Sequence, residues 1–349
     1  MTAVPDTLGP ATEHAPRRRP IGRALGVLVL VLAVTVLASL AIGAETPSPV
    51  RVLSAAVSGW HTDPDAWTLV AYYRMPRTLV AIAVGAALGV AGALMQAYTR
   101  NPLADPGILG VNAGAGLAVV VAIWLGLGTS VTFLVWPALL GAVLATFGVL
   151  LLAATGRGPA TPVRMTLAGV ALAAVLGGIT TTIRLGDPAT FDRFRSWAVG
   201  SVAGREVGDL LAVSPSVVVG LVVAVVLAKP LNAIAMGEDV ARSLGVDVRR
   251  ARLGTVLAVA LLVGAGTAVA GPIAFVGLMV PHAVRLLVGN EQTRIVPLSV
   301  LAAPCLLVAT DTAARVLVPG QEVPVGVVTA FVGAPVLLWL IRDKRVNTQ

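Results

Sequence analysis

Few side chains in this sequence have the types and spacing that nucleophilic or metal chemistry requires. The chain of 349 residues contains only three histidines and one cysteine, which are His14, His61, His282 and Cys305. Their spacing suggests neither a nucleophile with its base nor a metal cluster. Cys305 lies alone in an apolar segment, where a buried packing role is expected. We therefore predict that the protein is not an enzyme and that it holds no metal and no cofactor.

A candidate site for non-covalent contact with a partner lies in residues 231–245, a polar segment between two long apolar stretches. Gly237 precedes a helix-forming run from Glu238 to Leu244, Asp239 favours its first turn, and Gly245 can close its end in a left-handed conformation. The pattern predicts one short exposed helix.

This short helix has the features of a docking element. Glu238 and Arg242 have the favourable i, i+4 spacing of an ion pair, and Ala241 and Gly245 complete a low-relief strip on which another surface could rest. A solvated connector is the alternative interpretation.

Three arginines, Arg74, Arg77 and Arg315, form a further candidate site. Pro76 suits the first turn of a helix, which places Arg74 just before that helix and Arg77 inside its first turn. A cation is unfavourable at a helix N-terminus, so Arg77 requires an anionic partner. Guanidinium groups on one surface would suit the carboxylates of a soluble partner, and contact with lipid phosphates is the alternative.

The elements that position these residues are membrane helices. Hydrophobic residues make up 57% of the chain and charged residues 12%, and no charged residue or histidine occurs between Pro106 and Gly156. A membrane span needs about 20 apolar residues. Charges and Pro and Gly clusters divide the chain into ten predicted spans, at residues 24–43, 78–98, 108–127, 131–153, 163–183, 207–228, 254–272, 275–289, 295–313 and 324–341. The predicted fold is all-α, a polytopic membrane protein of about ten transmembrane helices.

The charge pattern indicates orientation rather than nucleic-acid binding, although the net charge is +8. Arginines precede the first span, and with that end inside, most other basic loops also fall inside. Both termini are expected in the cytoplasm of a multi-pass protein of the cell membrane. Residues 1–23 are predicted to be a disordered tail and residues 343–349 a second tail, with a ten-helix transmembrane domain at 24–342 and its largest inner loop at 229–252.

Irregular backbone is expected at two places within the bundle. Residues 96–114 contain several Pro and Gly residues, with Asn101 and Asp105 as helix caps, and residues 271–285 form a second break. Residues 84–92 resemble residues 263–271, which gives the chain a weak inverted-repeat character.

Several colinear motifs then resemble one known family. They are Arg-Met-Pro-Arg-Thr at 74–78, Asn-Pro-Leu-Ala-Asp-Pro-Gly-Ile-Leu-Gly at 101–110, Leu-Ala-Gly-Val-Ala at 167–171, Phe-Val-Gly-Leu-Met-Val-Pro-His at 275–282 and Glu-Val-Pro-Val-Gly-Val-Val-Thr-Ala at 322–330. Over residues 24 to 342 the chain resembles the FecCD-type permeases of ABC importers for iron-siderophores, haem and cobalamin. Within that group, an iron-siderophore is the expected cargo, and cobalamin or haem is the alternative.

The resemblance implies three partners besides the lipid bilayer, namely an ABC ATPase, an extracytoplasmic substrate-binding protein and a second permease subunit, identical or related. ATP must be hydrolysed elsewhere, because the chain has no Gly-x-x-x-x-Gly-Lys-Ser/Thr motif.

The resemblance also assigns roles to the candidate residues. It implies ATPase coupling through Gly237, Glu238, Ala241, Arg242 and Gly245, and binding-protein docking at Arg74, Arg77 and Arg315. Residues Asn101, Pro102, Asp105, Thr161, Pro162 and Val163 are expected to line the pathway and its gate, although Pro162 and Val163 replace the small hydroxyl residues common there.

Proton-coupled transport is the remaining alternative. Such transporters place ionisable residues within their spans, and here only Asp311 and His282 are candidates. His282 has no carboxylate nearby in sequence, so a hydrogen-bonded structural role is favoured.

Overall fold

The computed structural model describes residues 21–43, 48–59, 63–155, 161–318 and 321–342. Within these ranges the structure is helical, apart from an isolated β-bridge between Val318 and Gln321. The helices are α1 Ile21–Ala41, α2 Pro49–Ser58, α3 Pro64–Thr68, α4 Met75–Thr99, α5 Val111–Trp124, α6 Val131–Ala154, α7 Pro162–Gly186, α8 Pro188–Ala198, α9 Val207–Ala235, α10 Glu238–Ser243, α11 Val248–Ala270, α12 Val276–Val288, α13 Gln292–Ala314 and α14 Val325–Arg342. A π-helical turn, Leu69–Arg74, joins α3 to α4, and a 3-10 turn, Pro106–Leu109, precedes α5.

Every predicted span coincides with one of these helices, so the all-α prediction is confirmed. In the described ranges, seven helical segments are long and apolar enough to cross a membrane. The three shorter apolar helices are α5, α12 and α14, which correspond to the remaining predicted spans.

Some boundaries and elements differ from the prediction. Helix α1 begins at Ile21, so the last residues of the predicted tail 1–23 form its first turn. The predicted inner loop 229–252 is shorter than expected, because α9 continues to Ala235 and α11 begins at Val248. Helices α2, α3 and α8 were not predicted, since they are short and carry charges. Residues 1–20 and 343–349 of the predicted tails lie outside the described residues.

Helices α4 and α11 form the centre of the bundle, because their small residues allow neighbours to approach on every side. Nearly all of α4 from Pro76 to Tyr98 is buried. At the crossing of α4 with α12, a Cβ on Gly92 would lie 1.8 Å from the carbonyl oxygen of Gly277. Such close backbone contact holds membrane helices together where water provides no hydrophobic driving force.

Both predicted irregular segments lie within the bundle, and their backbone groups find partners there. Between α11 and α12, the chain from Gly271 to Phe275 is not helical, and there Gly271 N–H donates to the Thr267 carbonyl at 2.8 Å and the Phe275 carbonyl accepts Met279 N–H at 2.9 Å. In the first segment, Asn101 N–H donates to the Gln96 carbonyl at 3.2 Å and Gly110 N–H to the Gly107 carbonyl at 3.0 Å. Irregular backbone at membrane depth is stable only with such internal pairing. The predicted repeat of residues 84–92 in 263–271 stays a prediction.

Candidate functional site

The three candidate arginines lie together and are buried, with 5% of Arg74, 7% of Arg77 and 3% of Arg315 exposed. Arg77 donates through Nε and Nη2 to both carboxylate oxygens of Asp311 at 2.9–3.1 Å, and through Nη1 to Glu322 Oε2 at 2.7 Å. Arg315 donates to Asp311 Oδ2 through Nη2 at 2.6 Å and Nε at 3.1 Å. We call these five residues the arginine cluster.

The end of α1 explains why two of these arginines occupy their positions. Arg315 donates to the Ser39 carbonyl at 2.7 Å and Arg74 to the Leu40 carbonyl at 2.7 Å. The last carbonyls of a helix have no partner within the helix and carry partial negative charge, so cations are favourable there. Arg77 lies at the start of α4, where the helix dipole disfavours a cation. Asp311 and Glu322 provide the anionic partners that the sequence analysis predicted for Arg77.

These contacts correct one part of the sequence interpretation. Arg74, Arg77 and Arg315 are not free cations on a surface, because their main partners belong to the same chain. They line a cavity of about 770 Å³ that opens between the start of α4 and the end of α13. Asp65, Tyr73 and Glu322 also line it. Docking of a partner protein at this cavity stays a prediction.

The predicted short helix is present as α10, and its cap and ion pair match the prediction. Gly245 has a φ of +79°, and Val246 N–H donates to the Ala241 carbonyl at 2.9 Å, which closes the helix end. Arg242 pairs with Glu238 at 3.2 Å and with Asp239 at 3.0 Å. Glu238 also pairs with Arg252 of α11.

The exposed face of α10 differs from the predicted one. Ala241 is completely buried, because the helix rests on the bundle through that side, so Ala241 cannot contact a partner as predicted. The exposed apolar side chains are Met236 at 63%, Val240 at 43% and Leu244 at 62%. We call these three residues, together with the exposed Asp239, the α10 surface. Met236, Val240 and Leu244 were not identified from the sequence, because the prediction was based on the charged residues and on the small residues Ala241 and Gly245.

The segment that follows α4 turns sharply, as the sequence predicted. Asp105 caps the 3-10 turn by accepting the Gly107 N–H at 2.7 Å. Asn101 instead accepts the Leu103 N–H at 2.9 Å, which forms a local turn rather than a helix cap, and Pro102 is half-buried beside it.

The predicted gate residues lie at the beginning of α7. Thr161 caps α7 by accepting the Arg164 N–H at 3.4 Å, and Val163 is 68% exposed. Pro162 occupies the first turn. A hydrogen bond of 2.8 Å from the Tyr98 hydroxyl to Met165 Sδ places this end of α7 beside the end of α4. Residues 156–160, which directly precede the predicted gate residues, lie outside the described residues.

The exposed faces of α7 and α9 differ in chemistry. Along the middle of helix α9, the exposed side chains are all valines, including Val218, Val222 and Val226. Helix α7 exposes Gly178, Thr181 and Thr182 among apolar residues. The Thr182 hydroxyl donates to the Gly178 carbonyl of the same helix at 3.0 Å, but the α7 face is still the more polar of the two. The α7 face therefore suits protein or water better, and the valine face of α9 suits lipid.

Comparisons with known proteins agree with this architecture. The model of the FecCD transport family matches residues 31–343. The ferric enterobactin transport system permease protein FepD of Escherichia coli (strain K12) is 46% identical over 319 residues, which are 91% of this chain and 94% of that protein. The hemin transport system permease protein HmuU of Yersinia pestis is 35% identical over 328 residues, 92% of this chain and 96% of that protein. A solved structure of a metal-chelate type ABC transporter in an inward-facing conformation superposes with a TM-score of 0.79 at 26% identity, covering 92% of this chain and 99% of that one.

Proposed function

The chain belongs to the FecCD transport family, and from this premise we propose that it is the permease subunit of an ABC importer that carries a ferric siderophore across the plasma membrane. The observation that carries the proposal is the 46% identity to a ferric enterobactin permease over 91% of the chain. Identity to the hemin permease is lower, at 35%. Haem or cobalamin is therefore the second candidate cargo.

The α10 surface is the proposed contact with the ATPase. It combines exposed apolar side chains with Asp239 on a short helix that two ion pairs of Glu238 hold in place. A rigid apolar projection suits a cleft in a partner, because little conformational entropy is lost on binding. In this proposal, Gly237 and Gly245 form the bends at each end of α10, while Glu238 and Arg242 fix its orientation.

The arginine cluster is the proposed contact with the substrate-binding protein. Glu322 is the most exposed member, with 43% of its side chain accessible, and it holds Arg77 Nη1. An acidic side chain of the binding protein would enter the cavity and replace Glu322 on Arg77. Tyr73, which is 66% exposed, would contribute to the rim of the contact.

A second permease subunit, identical or related, would cover the α7 face. The pathway would then run between the two subunits, past Thr181 and Thr182 and toward the predicted gate at Thr161, Pro162 and Val163. Asn101, Pro102 and Asp105 would border the same end of the pathway. With both termini in the cytoplasm, α10 faces the ATPase and the arginine cluster faces outward, in agreement with the charge pattern of the loops.

Transport would proceed by alternating access. ATPase closure would displace α10, and because α10 is tied to α11 through Glu238 and Arg252, the movement would reach the centre of the bundle. The cargo would pass without covalent chemistry. Proton coupling through Asp311 is disfavoured, because that carboxylate is 1% exposed and paired with two arginines.

Uptake in a deletion strain tests the cargo. Cells that lack this chain and any redundant importer would be supplied with labelled ferric enterobactin, ferric citrate, haem or cobalamin, with the wild-type chain on a plasmid as the control. We expect loss of uptake of one ferric siderophore and its return with the plasmid. Loss of haem or cobalamin uptake alone would replace the siderophore as cargo, and unchanged uptake of all four would contradict the proposal.

A further inference from the structure

A pocket between α4, α12 and α13 contains polar groups that the proposed transport cycle does not use. Its volume is about 160 Å³, and its polar lining consists of Gln96, Arg100, His282, Arg285, Asn290 and Gln292. Ligand pockets usually measure roughly 300–1,000 Å³, so this one is too small for a metal chelate. One molecule of liquid water occupies about 30 Å³, so the pocket is several times larger than one water and suits a small polyatomic ligand. We call it the α12 pocket.

Several polar atoms of this pocket have no hydrogen-bond partner within the described part of the chain. They are both ring nitrogens of His282, Nη1 of Arg285 and Oε1 of Gln292. His282 is 8% exposed and Gln292 is 4% exposed, so both are more than nine-tenths buried. Buried polar groups in folded proteins are nearly always paired with protein groups, water or ions, so these atoms need partners that enter the pocket. Four such atoms in one pocket, beside two arginines, favour a polyatomic ligand that can pair with several of them together.

Arg285 is held in position for such a ligand. Gln96 donates through Nε2 to the Gly277 and Leu278 carbonyls at 3.3 and 3.0 Å, which fixes its amide. Its Oε1 then accepts Nη2 of Arg285 at 3.1 Å. One edge of the guanidinium is therefore occupied, and Nη1 stays available.

The charge of the pocket selects an anion. Its lining contains two arginines and neither aspartate nor glutamate. The acids on the adjacent segments are neutralised elsewhere, since Glu291 pairs with Arg294 at 2.6 Å and Glu238 pairs with Arg242 and Arg252. The donors available are guanidinium, amide and imidazole N–H groups, which match the oxygens of a phosphate group. A protonated phosphate oxygen could also donate to Gln292 Oε1, which a halide could not do.

We propose that the α12 pocket is a binding site for a phosphate group, bound by Arg285, His282, Arg100 and Gln292. Ala235, the last residue of α9, also lines the pocket, only three positions before Glu238. A bound phosphate would therefore connect α4, α12 and α13 directly beside the junction that leads into α10. Free phosphate and the phosphate of a lipid headgroup share this chemistry, and the experiment below separates them.

The test is a binding measurement on the full-length chain in nanodiscs, which does not depend on the cargo or on transport. In the first arm, the discs contain only phosphatidylcholine, and radiolabelled inorganic phosphate is titrated at constant ionic strength with chloride as the background anion. In the second arm, the discs contain phosphatidic acid or phosphatidylglycerol, and native mass spectrometry detects lipid that stays bound. Saturable binding in the first arm identifies free phosphate, and a retained anionic lipid in the second identifies a headgroup.

Variants assign the binding to the pocket. Arg285→Gln should weaken either ligand at least about tenfold, because a hydrogen bond to a charged group is lost. Arg285→Lys should recover part of the affinity, and Arg100→Gln gives a second test on a more exposed residue if Arg285→Gln does not fold.

Arg250→Gln is the matched control, since it removes one exposed arginine that pairs only with Asp247 among described residues, and it should bind like wild type. Binding of neither ligand to the wild type, or equal binding by wild type and Arg285→Gln, would overturn the proposal.

Discussion

At the scale of single residues, the arginine cluster shows how ionised side chains become stable near a membrane. A buried charge is costly unless it is paired and fully hydrogen-bonded. Asp311 meets this condition because it accepts hydrogen bonds from two arginines, and both arginines use their other N–H groups on the end of α1 or on Glu322. The cluster therefore joins α1, α4 and α13 and the segment before α14.

Asp311→Asn should strongly destabilise the protein. The substitution leaves Arg77 and Arg315 adjacent and buried without their shared anion, and removal of one partner of a buried ion pair costs about 3–5 kcal/mol. We expect a clear decrease in the midpoint of unfolding in detergent, measured by denaturant titration. A wild-type midpoint in Asp311→Asn would show that the cluster is not structural.

Glu322→Gln is the matched control and also tests docking. Its side chain is 43% exposed, so the loss of its charge should change stability by only about 1 kcal/mol or less. Because Arg77 Nη1 then has a weaker partner, the substrate-binding protein should bind at least as tightly as it binds wild type. Weaker binding of the purified binding protein to Glu322→Gln would contradict docking by displacement of Glu322.

At the scale of elements, α10 is a short helix that the bundle holds rigidly. A six-residue helix is unstable alone, and here Ala241 packs against the bundle while Glu238 is tied to Arg252. Helix α10 thus has a buried side that anchors it and an exposed apolar side that is available to a partner.

Leu244→Glu should reduce ATPase binding about tenfold or more, because it places a carboxylate in an apolar contact. This substitution leaves both ion pairs of Glu238 intact, whereas Glu238→Arg would also detach α10 from α11. Affinity for the purified ATPase and stimulation of ATP hydrolysis in liposomes provide the measurements. Leu127→Glu, at a 61% exposed leucine beyond the end of α5, is the control and should behave like wild type. Equal losses in both variants would exclude a specific role for the α10 surface.

The elements that sequence reasoning predicted are those with a strong local signal. The ten apolar segments, the cap at Gly245 and the cap at Asp105 all follow from neighbouring residues. The sequence grouped the three arginines and required an anion for Arg77, but it could not identify that anion, because Arg77 and Asp311 are 234 positions apart and meet only after α4 and α13 pack. For the same reason, the sequence did not indicate that Ala241 is buried or that His282 and Gln292 share a pocket.

At the scale of the whole molecule, the two ends of the α4–α13 pair carry different polar clusters. Arg77 and Asp311 meet at one end, and Gln96, Arg100 and Gln292 line the α12 pocket at the other, so the two helices are antiparallel. Between these ends, the exposed faces of the bundle differ in polarity, and this difference predicts which face meets lipid and which meets the second subunit.

Thiol labelling distinguishes these two faces. Cys305 is the only cysteine, so Cys305→Ala provides a background without thiols. If the α7 face borders the pathway as proposed, Thr182→Cys in the assembled importer should react with a membrane-impermeant maleimide, because water would fill the pathway near its outer end. Val222→Cys, on the valine face of α9 that is 57% exposed in the single chain, should stay unlabelled because lipid covers it. Equal labelling of both positions would contradict the assignment of the pathway to α7, whereas protection of Thr182→Cys by a bound binding protein would place the pathway entrance beside the arginine cluster.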